Sequence, residues 1–140
     1  MGYRSQVRSI IYGEPELVDA LLAKEKLAGD KGIQHLFDGF ITVTDSLQRV
    51  YVPKQNTDGT TESERIEVPM KVIDLEGSDW KWYDEYDDVK HWHALLTEAE
   101  NMGLNYEFVR VGEESGDIEE DRSADADYLL NTYVSIEADY

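Results

Sequence analysis

The sequence contains no cysteine. Disulfides, iron–sulfur clusters, thiolate zinc sites and cysteine nucleophiles are therefore excluded. No apolar run approaches the roughly 18 residues that a membrane-spanning helix needs. The opening MGYRSQVRS lacks the apolar segment of a secretory signal. The expectation is a soluble chain acting in the cytoplasm. No GxSxG elbow, no phosphate-cradling glycine loop and no serine–histidine set is present, so no enzyme is expected and no cofactor is called for. Basic residues are scarce, 13 Lys and Arg against 31 Asp and Glu, which leaves a formal charge of −18 and a pI near 4.3. Such a surface repels nucleic acid and anionic lipid and attracts a basic protein. The excess is uneven: residues 1–70 carry 11 acids and 8 bases, residues 71–140 carry 20 and 5.

What is present suits one domain. At 140 residues, with 41% hydrophobic and 11% aromatic content, the chain can bury a core without covalent staples. Residues 3–12 alternate as a strand, with Val7, Ser9 and Ile11 on one face and Gln6, Arg8 and Ile10 on the other. Glu14 and Pro15 open a helix whose stripe is Leu17, Val18, Leu21, Leu22 and Ala28, and Gly29 ends it. Phe37–Thr44 and Leu47–Val52 read as a hairpin turning at Asp45-Ser46, with Ile41, Val43, Val50 and Val52 facing the core. A polar loop, 54–62, turns at Asp58-Gly59. Ile66 to Leu75 forms a strand that Pro69 confines to an edge or bulge. A second helix spans Asp87 to Met102, capped by Asp84 or Asp87, with Val89, Trp92, Leu96 and Ala99 inward. Strands at 106–111 and Tyr133–Glu137 follow. The order β-α-β-β-β-α-β-β predicts a single α+β domain over 1–140, a mainly antiparallel sheet with both helices on one face.

Few residues carry chemistry. His91 and His93, at i and i+2, point about 200° apart on a helix, the wrong spacing for a helical zinc site, and read as flanking Trp92. Asp117, Glu119, Asp121, Asp125 and Asp127 suggest calcium, but no register supplies both the central glycine and the glutamate at position twelve that an EF-hand loop requires. No metal is expected. The stretch 113–127 holds eight acids and one arginine. It reads either as a solvated face or as a phosphate mimic, since alternate strand residues Asp117, Glu119 and Asp121 would lie about 6.6 Å apart. Trp80, Trp82, Tyr83, Tyr86 and Trp92 pack a core or, interleaved with Asp84, Glu85, Asp87 and Asp88, anchor an interface inside a charged rim. Trp82 and Tyr86 are the two expected outside the core.

MGYRSxV, the segment Lys81 to Val89 (KWYDEYDDV) and the segment Tyr106 to Glu114 (YEFVRVGEE) followed by Asp117-Ile118-Glu119 resemble a group of small acidic proteins of tailed bacteriophages and prophages. The resemblance implies action in the cytoplasm of an infected bacterium and lends no catalytic residues. The expected function is non-catalytic: inhibition of a host protein by covering its basic nucleic-acid-binding surface, as an anti-CRISPR or other anti-defence protein would. Trp82, Asp84, Glu85, Tyr86, Asp87, Asp88, Glu113, Glu114, Asp117, Glu119, Glu120 and Asp121 are the candidate contacts. The alternative is an accessory or assembly protein acting as a homodimer or larger oligomer, with a nucleotide-directed enzyme a distant third.

Overall fold

The computed structural model describes residues 3–29, 39–132 and 136–138. Among the described residues, seven strands and two helices follow in the order β1 (Ser5–Gly13), α1 (Pro15–Ala28), β2 (Ile41–Gln55), β3 (Thr61–Trp80), α2 (Asp87–Asn101), β4 (Asn105–Gly112), β5 (Ile118–Arg122), β6 (Leu130–Thr132) and β7 (Ile136–Ala138). The first five strands form one antiparallel sheet in the order β2-β3-β1-β4-β5, and β6 pairs with β7. The predicted α+β class and antiparallel sheet hold.

β1 lies at the centre because both of its faces are apolar. Val7 and Ile11 join Ile73, Leu75 and Phe108 beneath the helices, where Val18 and Leu21 of α1 and Val89, Trp92, Leu95, Leu96 and Ala99 of α2 complete the main core. Both helices thus cover one face, as predicted. Ile10 and Tyr12 point the other way, into a second cluster with Met70, Val72, Val109 and Leu130. The chain after β5 folds across that face and covers it, so the sheet is buried on both sides at its centre.

Several local expectations need correction. Asp45-Ser46 is not a turn. β2 runs straight through it, pairing residue by residue with β3 from Ile41↔Leu75 to Gln55↔Thr61. A two-residue hairpin needs φ > 0 at its centre, which Asp-Ser supplies poorly; the reversal falls instead at Asn56–Thr60. There Gly59 takes φ 87°, and the Asp58 carboxylate accepts from the Thr60 N–H and hydroxyl. Val43 is exposed because β2 is the edge strand of the sheet, and Val50 and Val52 are only half-buried because this hairpin outruns the sheet there: β1 pairs with β3 only as far as Lys71. Pro69 sits just beyond that point, on locally edge-like strand, as expected of it. Neither Asp84 nor Asp87 caps α2; Tyr86 occupies the cap position with no side-chain bond. Of the predicted closing strand, Tyr133, Val134 and Ser135 lie outside the described residues, as do Phe37 and His35.

Candidate functional site

The antiparallel order places the start of β1, the ends of β3 and β4 and the start of β5 at one end of the sheet. Both acidic segments singled out in the sequence, 82–88 and 113–121, flank that end, and Tyr3 ties them together. Its backbone N–H donates to the Tyr83 hydroxyl at 2.6 Å. Its own hydroxyl donates to Asp117 Oδ2 and accepts from the Glu114 N–H at 3.0 Å. Arg4 repeats the link: its N–H donates to Glu113 Oε1 at 2.6 Å and its guanidinium to the Asp79 carbonyl at 2.9 Å. Asp79 takes φ 53°, a conformation that aspartate tolerates better than most residues. A depression of about 380 Å³ opens beside these residues, lined by Arg4, Gln6, Asp79, Val111 and Glu113 among others.

Asp117 is the most constrained acid of the set. Arg110 reaches its two oxygens at 2.9 and 3.3 Å. The bonds from Arg110 and then Tyr3 hold its carboxyl below the usual aspartate value, while the same bond to Asp117 pushes the Tyr3 hydroxyl up. Gly112 is required by this clamp: a Cβ there would run into Asp117 Oδ2 and the Tyr3 hydroxyl.

The acidic run, for which the expected element order held no strand, forms β5 over Ile118–Arg122, but it is not a bare row of charge. Asp117 precedes β5 and is clamped. Glu119 lies 4.0 Å from Arg110, Glu120 lies 3.6 Å from Arg122, and Asp121 accepts from the Tyr106 hydroxyl at 3.3 Å. Asp84, Glu85, Asp87, Glu113 and Glu114 are exposed, and Asp88 is half-buried with its carboxylate bonded to the Val89 N–H.

Trp82 must be reassigned. It is 6% exposed and packs against Trp80 at 4.7 Å, Phe108 at 5.9 Å and His93 at 6.1 Å between ring centroids. The short connection from β3 to α2 turns its indole inward over β4, so it belongs to the core and not to an interface. Tyr86 is 41% exposed and packs edge-on against Tyr83 at 5.2 Å. It remains the aromatic group at the surface of this end.

Two residues with large structural consequences went unremarked in the sequence. Tyr3 carried no signal beyond its place in the opening strand. Glu107 did carry one: it alternates in register with Val109 and Val111, an acid on an apolar face. It is fully buried, and its carboxylate accepts from the Tyr12 hydroxyl at 2.8 Å, Arg122 Nε at 3.0 Å and the N–H groups of Leu129 and Leu130 at 2.9 and 3.1 Å. Burial pushes the Tyr12 hydroxyl far up, so it stays a donor, and it also accepts the Asp127 N–H at 2.6 Å.

Among the described residues, no group of three or more His, Asp and Glu is placed to hold a metal ion, and no helix is long and apolar enough to cross a membrane. No family model matches the chain, and no curated protein matches it.

Proposed function

We propose that this chain is a non-catalytic binding protein whose acidic end covers the basic, nucleic-acid-handling surface of another protein. One observation carries the reading. The line Tyr86–Tyr83–Tyr3–Asp117–Arg110 fixes two acidic segments, far apart in sequence, on one end of a rigid sheet. Acids fixed in this way lose little entropy on binding, which a mobile acidic tail would lose in full. Asp84, Glu85, Asp87, Glu113 and Glu114 supply exposed negative charge that stands in for phosphates, and Tyr86 supplies the apolar anchor. Glu119, Glu120 and Asp121 extend the field along β5 at reduced effective charge, since Arg110 and Arg122 lie beside them.

The resemblance to small acidic phage proteins supports a host protein as the target, an infected bacterium's cytoplasm as the setting and inhibition as the outcome. The test is recovery of partners from bacterial lysate on the immobilised chain at low and high salt, followed by competition with duplex DNA and RNA. A partner displaced by nucleic acid is expected. A partner whose binding is indifferent to both salt and nucleic acid removes the mimicry.

A further inference from the structure

The longest unpaired backbone among the described residues is the outer side of β2, the last strand of the sheet at that edge. It runs 15 residues with no bulge in its register against β3. Edges of this length are ordinarily blunted by charge, bulges or a covering element, because each exposes a ladder of unmet donors and acceptors. Here three large apolar side chains are exposed: Val43, Leu47 and Tyr51 are 45, 55 and 71% exposed and recur every fourth residue on one face, with the exposed Asp45 and Arg49 between them. Pro69 fixes which backbone groups are on offer. It stands opposite Leu47 and has no N–H, so the two cannot form a mutually bonded pair, and the Leu47 N–H and C=O are aimed at the open side.

We propose that two copies of this chain join antiparallel along β2, in the register that sets Leu47 opposite Leu47 of the second copy. That register alone makes the exposed face self-complementary. Val43 meets Tyr51, Asp45 meets Arg49, Leu47 meets itself, and the two-fold axis then repeats the Val43–Tyr51 and Asp45–Arg49 pairs. Cross-strand pairs of these kinds each favour the sheet by about 0.2–1 kcal/mol. The acidic repulsion that opposes self-association elsewhere is missing here, since β2 carries Arg49 and Lys54 against Asp45, a net +1 in a chain of −18. Joining also explains how the far half of the β2–β3 hairpin persists, because two strands alone are marginal in water and four are not. The inference is independent of the partner-binding reading, which concerns the other end of the sheet.

The test uses the full chain and its lack of cysteine. Light scattering after size exclusion is expected to give twice the 16.1 kDa chain mass. Leu47→Cys places two thiols on directly opposed residues, with Cα atoms about 5.5 Å apart in a bonded antiparallel pair, and a short bismaleimide is expected to join them nearly completely. Tyr51→Cys leaves its thiol opposite Val43, eight residues from its own counterpart, about 27 Å at 3.4 Å per residue, and is expected to stay unjoined. Both positions are exposed, so neither substitution disturbs the core. A single-chain mass at every concentration overturns the proposal. So does a dimer in which Leu47→Cys fails to cross-link, or in which Tyr51→Cys cross-links as well as Leu47→Cys.

Discussion

Glu107 is the residue on which the second face of the sheet depends. Its carboxylate receives four donors, two of them backbone N–H groups of the segment that closes over Tyr12, Val109 and Leu130. Glu107→Gln keeps the shape but turns an NH2 toward donors and leaves Arg122 with only the more distant, half-exposed Glu120 as a charge partner. Breaking a buried pair from one side typically costs about 3–5 kcal/mol, so urea unfolding should show a loss of roughly 3 kcal/mol. Asp117 gives a pH signature instead. Its carboxyl is held low by Arg110 and Tyr3, so the clamp's contribution is complete above the ordinary value of 3.8 and is lost as pH falls through the lower folded-state value. Melting curves of wild type should therefore fall more steeply below about pH 4 than those of Asp117→Asn, whose clamp is already gone. Equal acid limbs would show that Asp117 is not clamped. Sequence alternation placed Glu107 correctly on a strand and gave Asp117, which lies just before β5, no settled place. It could not reveal the distant donors facing them: the Tyr12 hydroxyl lies 95 residues from Glu107, and the Tyr3 hydroxyl 114 residues from Asp117.

At the scale of elements, legibility followed how local the cause was. α1 begins at Pro15 and ends at Gly29, and α2 covers Asp87–Asn101, because apolar spacing and local start and stop residues decide them. The β2–β3 hairpin was misplaced because its register is set by long-range pairing, which overrode a polar Asp45-Ser46 that locally resembles a turn. Trp82 was misjudged for a related reason. Acids crowd its stretch of sequence at Asp79, Asp84 and Glu85, but the rings it packs against are Trp80, His93 and Phe108. Its core placement makes a direct prediction. Trp82→Ala should lower unfolding free energy by about 3–5 kcal/mol through the cavity it leaves. Trp82→Phe should cost much less, since the indole N–H it removes has no acceptor among the described residues. Tyr86→Ala, by contrast, should leave thermal stability nearly unchanged. An interface role for Trp82 would require the opposite ranking, with Trp82→Ala folding normally and failing only to bind.

Over the whole molecule, the acid excess of the second half of the sequence is not uniform in effect. Arg110 and Arg122 lie beside Asp117, Glu119, Glu120 and Glu107 and moderate them, whereas Asp84, Glu85, Asp87, Glu113 and Glu114 are exposed. The part of the surface best suited to steering a basic partner is therefore the second group. Replacing Asp84, Glu85, Asp87 and Glu114 with their amides should slow association several-fold at low salt and leave dissociation nearly unchanged, because long-range attraction acts on encounter. The difference from wild type should vanish once added salt brings the screening length well below 8–10 Å. Tyr86→Ala should do the reverse, speeding dissociation with little effect on association, since a buried aromatic anchor acts after docking. Surface plasmon resonance on the recovered partner separates the two rates. If the amide variant instead changes only dissociation, or retains its difference at high salt, the acids make short-range contacts and the mimicry of a phosphate backbone fails, even where the partner itself proves genuine.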